Sequence, residues 1–138
     1  MRDDAQALQL MRFFKTDKGS YGEGDRFLGL KVPQTRLVVK EARLDVSLPE
    51  IEKLLYSEWH EARLAGFLLI EQEMKESLPK RQDSPARCRE KAERRDEIVA
   101  FYLRHARQSN NWDLVDIPCR GILGEWLLHP SADGTLPD

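Results

Sequence analysis

Apolar residues recur every three or four positions along this chain, and no stretch of four to eight residues alternates cleanly between apolar and polar, so the sequence builds from helices rather than strands. Trp59 to Ser77 is the clearest case, with Leu64, Phe67, Leu68 and Met74 on one face and Glu61, Glu71, Gln72 and Lys75 polar. A weaker helix over 4–14 turns Leu8, Met11 and Phe14 to one side. The stretch from Lys15 to Gly29 holds Gly19, Gly22, Gly24 and Gly29, too many glycines for a helix interior. Pro33 suits the first turn of a helix running to about Arg43, with Leu37 and Val38 inward. Ser47 with Glu50 three residues on has capping-box spacing and opens a helix carrying Ile51, Leu54 and Leu55. Leu78 to Pro85 is a break.

A long charged helix follows from about Ala86 to Arg107, with Ile98, Tyr102 and Ala106 on one face and Val99 and Leu103 beside it. Ser109-Asn110-Asn111 ends it and can cap the next, Trp112 to about Leu128, which Pro118 should kink. The later elements pair, 48–56 with 58–77 and 92–107 with 112–128, and their starts lie 44 residues apart. HEAT-type helical pairs repeat every 40–47 residues or so. The expected architecture is therefore all-α: stacked antiparallel helical hairpins, a HEAT-like or ARM-type α-solenoid of about three repeats. One domain over 1–129 and a polar tail over 130–138 fit the 138 residues.

Lys plus Arg number 22 and Asp plus Glu 24, a net charge of −2, so any DNA-binding surface must come from local segregation of charge. No apolar run approaches the roughly 20 residues of a membrane span. The start, Met1-Arg2-Asp3-Asp4, reads as no secretory leader. Cys88 and Cys119 have no paired spacing and read as free thiols of a cytoplasmic protein.

The loop from Lys18 to Asp25 lacks the Gly-Lys-Ser/Thr ending of a phosphate cradle, and Glu23 and Asp25 would repel phosphate; it reads as a structural turn. Trp59-His60-Glu61 would begin a helical zinc motif only if a second histidine stood at Leu64, so no metal site follows, and His60 reads as a surface or helix-start residue. Lys80 to Arg95 has seven basic against three acidic residues, a local excess of +4. On charge alone it reads first as a solvated helix with pairs such as Glu90 and Arg94, and second as a phosphate grip through Arg87, Arg89, Lys91, Arg94 and Arg95. In Asn110-Asn111-Trp112-Asp113-Leu114-Val115-Asp116, the indole of Trp112 and the carboxylate of Asp116 stand four apart and share a helix face. Such a pair can pack on a sugar or base and steady positive charge. The plainer reading is a core Trp112 with Asp113 and Asp116 favoured by the helix dipole.

Phe13 to Leu30 (FFKTDKGSYGEGDRFLGL) with Val32-Pro33, and Asn110 to Asp116 (NNWDLVD) with Ile122 to Leu128 (ILGEWLL), resemble the bacterial DNA alkylation repair proteins of the AlkD type, DNA glycosylases built from HEAT-like repeats. The likeness runs from Phe13 to Leu128 in the same order. It implies excision of N3- or N7-alkylated purines from double-stranded DNA held on a concave basic face, without a cofactor. It implies Asp116 as the catalytic carboxylate and Trp112 as the aromatic platform, with Asp113 beside them at the substrate. An alkylated purine is already cationic, so one carboxylate suffices to stabilise the oxocarbenium-like sugar and guide a water.

Members of the resembled family continue with further repeats that supply a second Trp and an Arg, and those residues have no counterpart before Asp138. The stretch from Leu78 to Arg95 is longer and more charged than the family pattern, and Pro118 stands close behind Asp116. Val115, Ile122, Leu123, Trp126 and Leu127 would normally be covered by another repeat, so an exposed apolar patch, self-association through the last helix, or marginal stability is expected. Two further readings stay open: a non-catalytic helical-repeat module for DNA or protein, and an inactive short family member.

Overall fold

The computed structural model describes residues 2–13, 18 and 23–130. It is all-α, with helices α1 (Asp4–Phe13), α2 (Val32–Ala42), α3 (Leu48–Leu55), α4 (His60–Glu76) and α5 (Pro85–His105). A 3-10 turn (Ala106–Gln108) leads to α6 (Trp112–Pro118), a π-helical stretch (Cys119–Gly124) and α7 (Glu125–Leu128). Among the described residues the one extended pairing is an isolated bridge between Arg26 and Trp59.

The helix boundaries follow from local chemistry. Glu50 Oε2 accepts the Ser47 backbone N–H at 2.8 Å, closing the capping box at the start of α3. Ser84 Oγ accepts the Arg87 N–H at 3.2 Å, and Pro85 occupies the first turn of α5, where no backbone donor is needed. Pro33 does the same in α2. Ser77 ends α4, its hydroxyl donating to the Met74 carbonyl at 2.7 Å.

Helix α4 is the axis of the molecule and touches α2, α3, α5, α6 and the π-helical stretch. Ile51 and Leu55 of α3, Leu64, Phe67, Leu68, Ile70 and Met74 of α4, and Ile98, Val99 and Tyr102 of α5 join Leu114, Ile122 and Trp126 in one core. Because α4 is enclosed by its neighbours, Glu61 and Glu71 are buried with it rather than solvated. Glu61 accepts the backbone N–H groups of Leu28, Gly29 and Leu30 at 2.9–3.2 Å, which replaces the water it gives up.

The expected pairing of α3 with α4 is present, and so is that of α5 with the second half of 112–128, while the first half turns to α4. α6 packs on α4, and α5 meets the π-helical stretch and α7. Gly121 allows this crossing, since a Cβ there would stand 2.6 Å from Glu71 Cγ. Pro118 cannot donate to the helical ladder, and the chain continues past it in the wider π winding rather than as one bent α-helix.

Several side chains expected inward face out. Leu37 and Val38 are exposed, because α2 meets the core with Thr35 and Val39. On α1, Leu8 is exposed while Ala7 packs on Phe27, with Leu10 and Met11 half-buried beside them. Gly29, at φ +88°, admits that close approach, since a Cβ there would lie 1.9 Å from the Asp3 carbonyl oxygen. Leu103 of α5 is also exposed. Phe14, Gly19 to Gly22 and residues 131–138 lie outside the described residues. The last helix is better covered than expected: Ile122 and Trp126 are buried, the Trp126 indole donating to Asp96 at 2.8 Å, and the apolar groups left open are Val115, Leu127 and Leu128. Among the described residues no helix is long and apolar enough to cross a membrane.

Candidate functional site

Helix α6 presents two faces. Leu114 and Pro118 point into the core with Asp113, while Trp112, Val115 and Asp116 face out. Trp112 is 49% exposed, so the indole is not a core plug. Four residues span about 6 Å along a helix, which sets Trp112 and Asp116 one turn apart on the same side. Asp116 lines a surface groove of about 530 Å³ together with Arg36, Glu71, Lys75, Ile117, Arg120, Gly121 and Glu125. Trp112 stands beyond the groove lining. Glu71 is shared at the groove floor, 3.3 Å from Lys75 Nζ and 3.7 Å from Arg36 Nη1.

Asp113 is turned the other way. It is 6% exposed, its Oδ1 accepts the Leu114 N–H at 2.9 Å, and its Oδ2 lies 2.7 Å from His60 Nε2. It thus belongs to a buried polar cluster rather than to the surface that carries Trp112 and Asp116. At the centre of that cluster is Asp25, 3% exposed. Its Oδ1 accepts from Arg63 Nη2 at 2.5 Å and from Asn110 Nδ2 at 2.8 Å, while Asn111 Nδ2 donates to Oδ2. His60 Nδ1 lies 3.4 Å from the same Oδ2, and the ring stacks on Phe27 at 4.6 Å. Burial pushes the Asp25 carboxyl up, but hydrogen bonds from His60 and Asn110 and the charge and hydrogen bond of Arg63 outweigh it and hold the pKa at about 2. Burial pushes the His60 imidazole down, and hydrogen bonds to Asp113 and Asp25, with their charges, overcome it and raise the pKa above its ordinary value.

The basic run divides by environment. Arg87 and Arg89 are exposed, with Arg87 3.1 Å from Glu90. Arg94 bridges Glu73 at 3.0 Å and Glu97 at 2.8 Å. Lys91 and Arg95, expected on a DNA-facing surface, are buried and committed within the protein. Lys91 pairs with Asp83 at 2.5 Å, and Arg95 donates to the carbonyls of Ser77 and His129. They fasten the loop between α4 and α5 and the end of α7, because a buried cation keeps its charge only where it is paired and hydrogen-bonded.

A family model described as DNA alkylation repair enzyme matches residues 1–137, nearly the whole chain. The chain belongs to that family. No curated protein and no solved structure matches it.

In this DNA alkylation repair family member the spacing of Trp112 and Asp116 matches their shared face on α6, while no local pattern marks the buried cluster behind that helix. His60 starts α4 as expected, yet it is 2% exposed rather than at the surface. Asp25 reads in sequence as a turn residue, and its partners lie 35 to 86 positions away, beyond any local pattern. Asn111 stands at the N-cap position of α6, but its side chain reaches Asp25 instead of capping the helix. Among the described residues no group of three or more His, Cys, Asp and Glu side chains is arranged to hold a metal ion.

Proposed function

We propose that this chain excises N3- and N7-alkylated purines from duplex DNA by hydrolysing the N-glycosidic bond. The observation that carries the reading is Asp116: an exposed carboxylate on the outward face of α6, in a groove with three cationic side chains and one helical turn from a half-exposed indole. The alkylated base carries its own positive charge and leaves without protonation. Asp116 then has two tasks: to stabilise the cation developing on the sugar and to orient a water toward its anomeric carbon. Trp112 offers a flat apolar surface on which the sugar or the damaged base packs. Arg36, Lys75 and Arg120 reach the groove from α2, α4 and the π-helical stretch and are placed to pair with phosphates on either side of the lesion. A HEAT-like stacking of helical pairs, as the resemblance implies, would lay these elements along the duplex.

One observation favours a non-catalytic module. The groove carries three carboxylates, Glu71, Asp116 and Glu125, against its three cations, so its net attraction for a phosphate backbone is small. The two readings separate on duplex DNA treated with a methylating agent. A glycosylase releases free methylpurine, and Asp116→Asn lowers that release by about 100- to 1,000-fold with binding retained. A module binds methylated and unmethylated duplex alike, releases nothing and is indifferent to Asp116→Asn.

A further inference from the structure

The buried cluster at the start of α6 has no part in the chemistry assigned to Asp116, yet its members come from three separate parts of the chain. Asp25 comes from the glycine-rich loop, His60 and Arg63 from the head of α4, Asn110 and Asn111 from the link before α6, and Asp113 from its first turn. Trp112 lies between Asn111 and Asp113, both anchored. Asp116 follows one turn later on the same seven-residue helix.

We infer that His60 is the positioning residue of this site: its ring, clasped between the carboxylates of Asp25 and Asp113, ties the first turn of α6 to the head of α4 and so fixes where Trp112 and Asp116 stand. The inference deepens the glycosylase reading and rests on it for the catalytic consequence, while the tether itself stands on geometry. Each ring nitrogen faces a carboxylate oxygen, Nε2 at 2.7 Å from Asp113 and Nδ1 at 3.4 Å from Asp25. A neutral imidazole has one N–H and can donate to one of them; an unprotonated Nδ1 would face the Asp25 carboxylate at 3.4 Å and the Asn111 amide at 3.5 Å. Only the imidazolium donates to both.

The charges around the ring agree with this. Asp25 and Asp113 bring two negative charges, and Arg63 brings one positive charge to the far oxygen of Asp25. A protonated His60 completes a neutral set, whereas a neutral His60 would leave the cluster with an uncompensated buried anion. Glu61, next on α4, has its carboxylate committed to the backbone of Leu28 to Leu30. Lys31 lines the adjoining cavity of about 350 Å³ that His60, Glu61 and Asp113 also border. When His60 loses a proton, the longer contact to Asp25 loses its donor, and the ring holds Asp113 of α6 without its positive charge.

The test is NMR on the full chain, following the His60 ring nitrogens and the three tryptophan indoles against pH. The expected result is a His60 midpoint above the ordinary value of about 6.5, and a Trp112 indole resonance that shifts with that midpoint. Trp126, bonded to Asp96 in another part of the core, should stay unmoved by that transition. Asp113→Asn should lower the His60 midpoint, and His60→Gln should make the Trp112 signal insensitive to pH over that range. In an excision assay His60→Gln should lower kcat by roughly 10- to 100-fold with KM little changed, and should remove the alkaline fall of the wild-type profile. A His60 that titrates at or below about 6.5, or a Trp112 indole that ignores the His60 transition, overturns the tether. If wild type excises nothing while Trp112 still follows His60, the tether stands and the glycosylase reading falls.

Discussion

Asp25 is met by four side chains of the buried cluster, Arg63, Asn110, Asn111 and His60, and its removal should be costly. In Asp25→Asn, Arg63 loses the carboxylate that offsets its buried charge, and His60 and Asn111 lose part of their acceptor. Breaking such a pair costs about 3–5 kcal/mol, which a lowered urea midpoint in equilibrium unfolding would show. The same cluster sets a pH window. Asp25 has its carboxyl lowered from 3.8 to about 2, so its contribution of roughly 2 kcal/mol is present above pH 3.8 and is lost as pH falls toward 2. His60 is raised above its ordinary 6.5, so its contribution is full below that pH and is lost as pH rises through the folded value. Thermal melting should therefore be highest between about pH 4 and 6.5 and fall on either side. Sequence reading places Trp112 and Asp116 on one face of α6 because i and i+4 share a helix face, but not which way that face turns. It does not catch Asp25, because a carboxylate in a glycine-rich loop carries no mark of the distant helices it will join.

At the scale of elements, boundaries are more legible than faces. Ser47 with Glu50, Ser84 with Pro85, and Pro33 mark helix starts by local hydrogen bonding, which the chain carries wherever it packs. Which face turns inward depends on neighbours. Leu37 and Val38 look like core residues by type, but α2 approaches α4 along Thr35 and Val39. Glu61 and Glu71 look solvated by type, but α4 is surrounded. The π-helical stretch after Pro118 is legible only as an irregularity, since the wider winding is tied to the contact of Gly121 with Glu71. That contact is open to a double-mutant cycle. Gly121→Ala would set a methyl 2.6 Å from the Glu71 side chain and should destabilise by about 1–3 kcal/mol. In a Glu71→Ala background the same change should cost clearly less, and chemical unfolding of the four proteins measures the difference.

Over the whole molecule, net charge conceals where cations are available. The chain is slightly acidic, and its densest basic run spends Lys91 and Arg95 on internal carbonyls and carboxylates. The groove cations Arg36, Lys75 and Arg120 are scattered in sequence and meet only through the packing of α2 and the π-helical stretch on α4. Arg95→Ala should destabilise the fold and leave the salt dependence of DNA binding unchanged, whereas Arg120→Ala should leave the melting temperature nearly unchanged and reduce the salt slope by about one. Fluorescence anisotropy over a salt series, beside thermal melts, separates the two.

The central claim concerns one side chain, and single-turnover excision from a duplex bearing a defined N7-methylguanine measures it most directly. The account predicts release of the base by the wild type and a loss of about 100- to 1,000-fold in Asp116→Asn, with the variant's lesion binding and melting temperature intact. Equal release by the two proteins, or none by a folded, DNA-binding wild type, would contradict it.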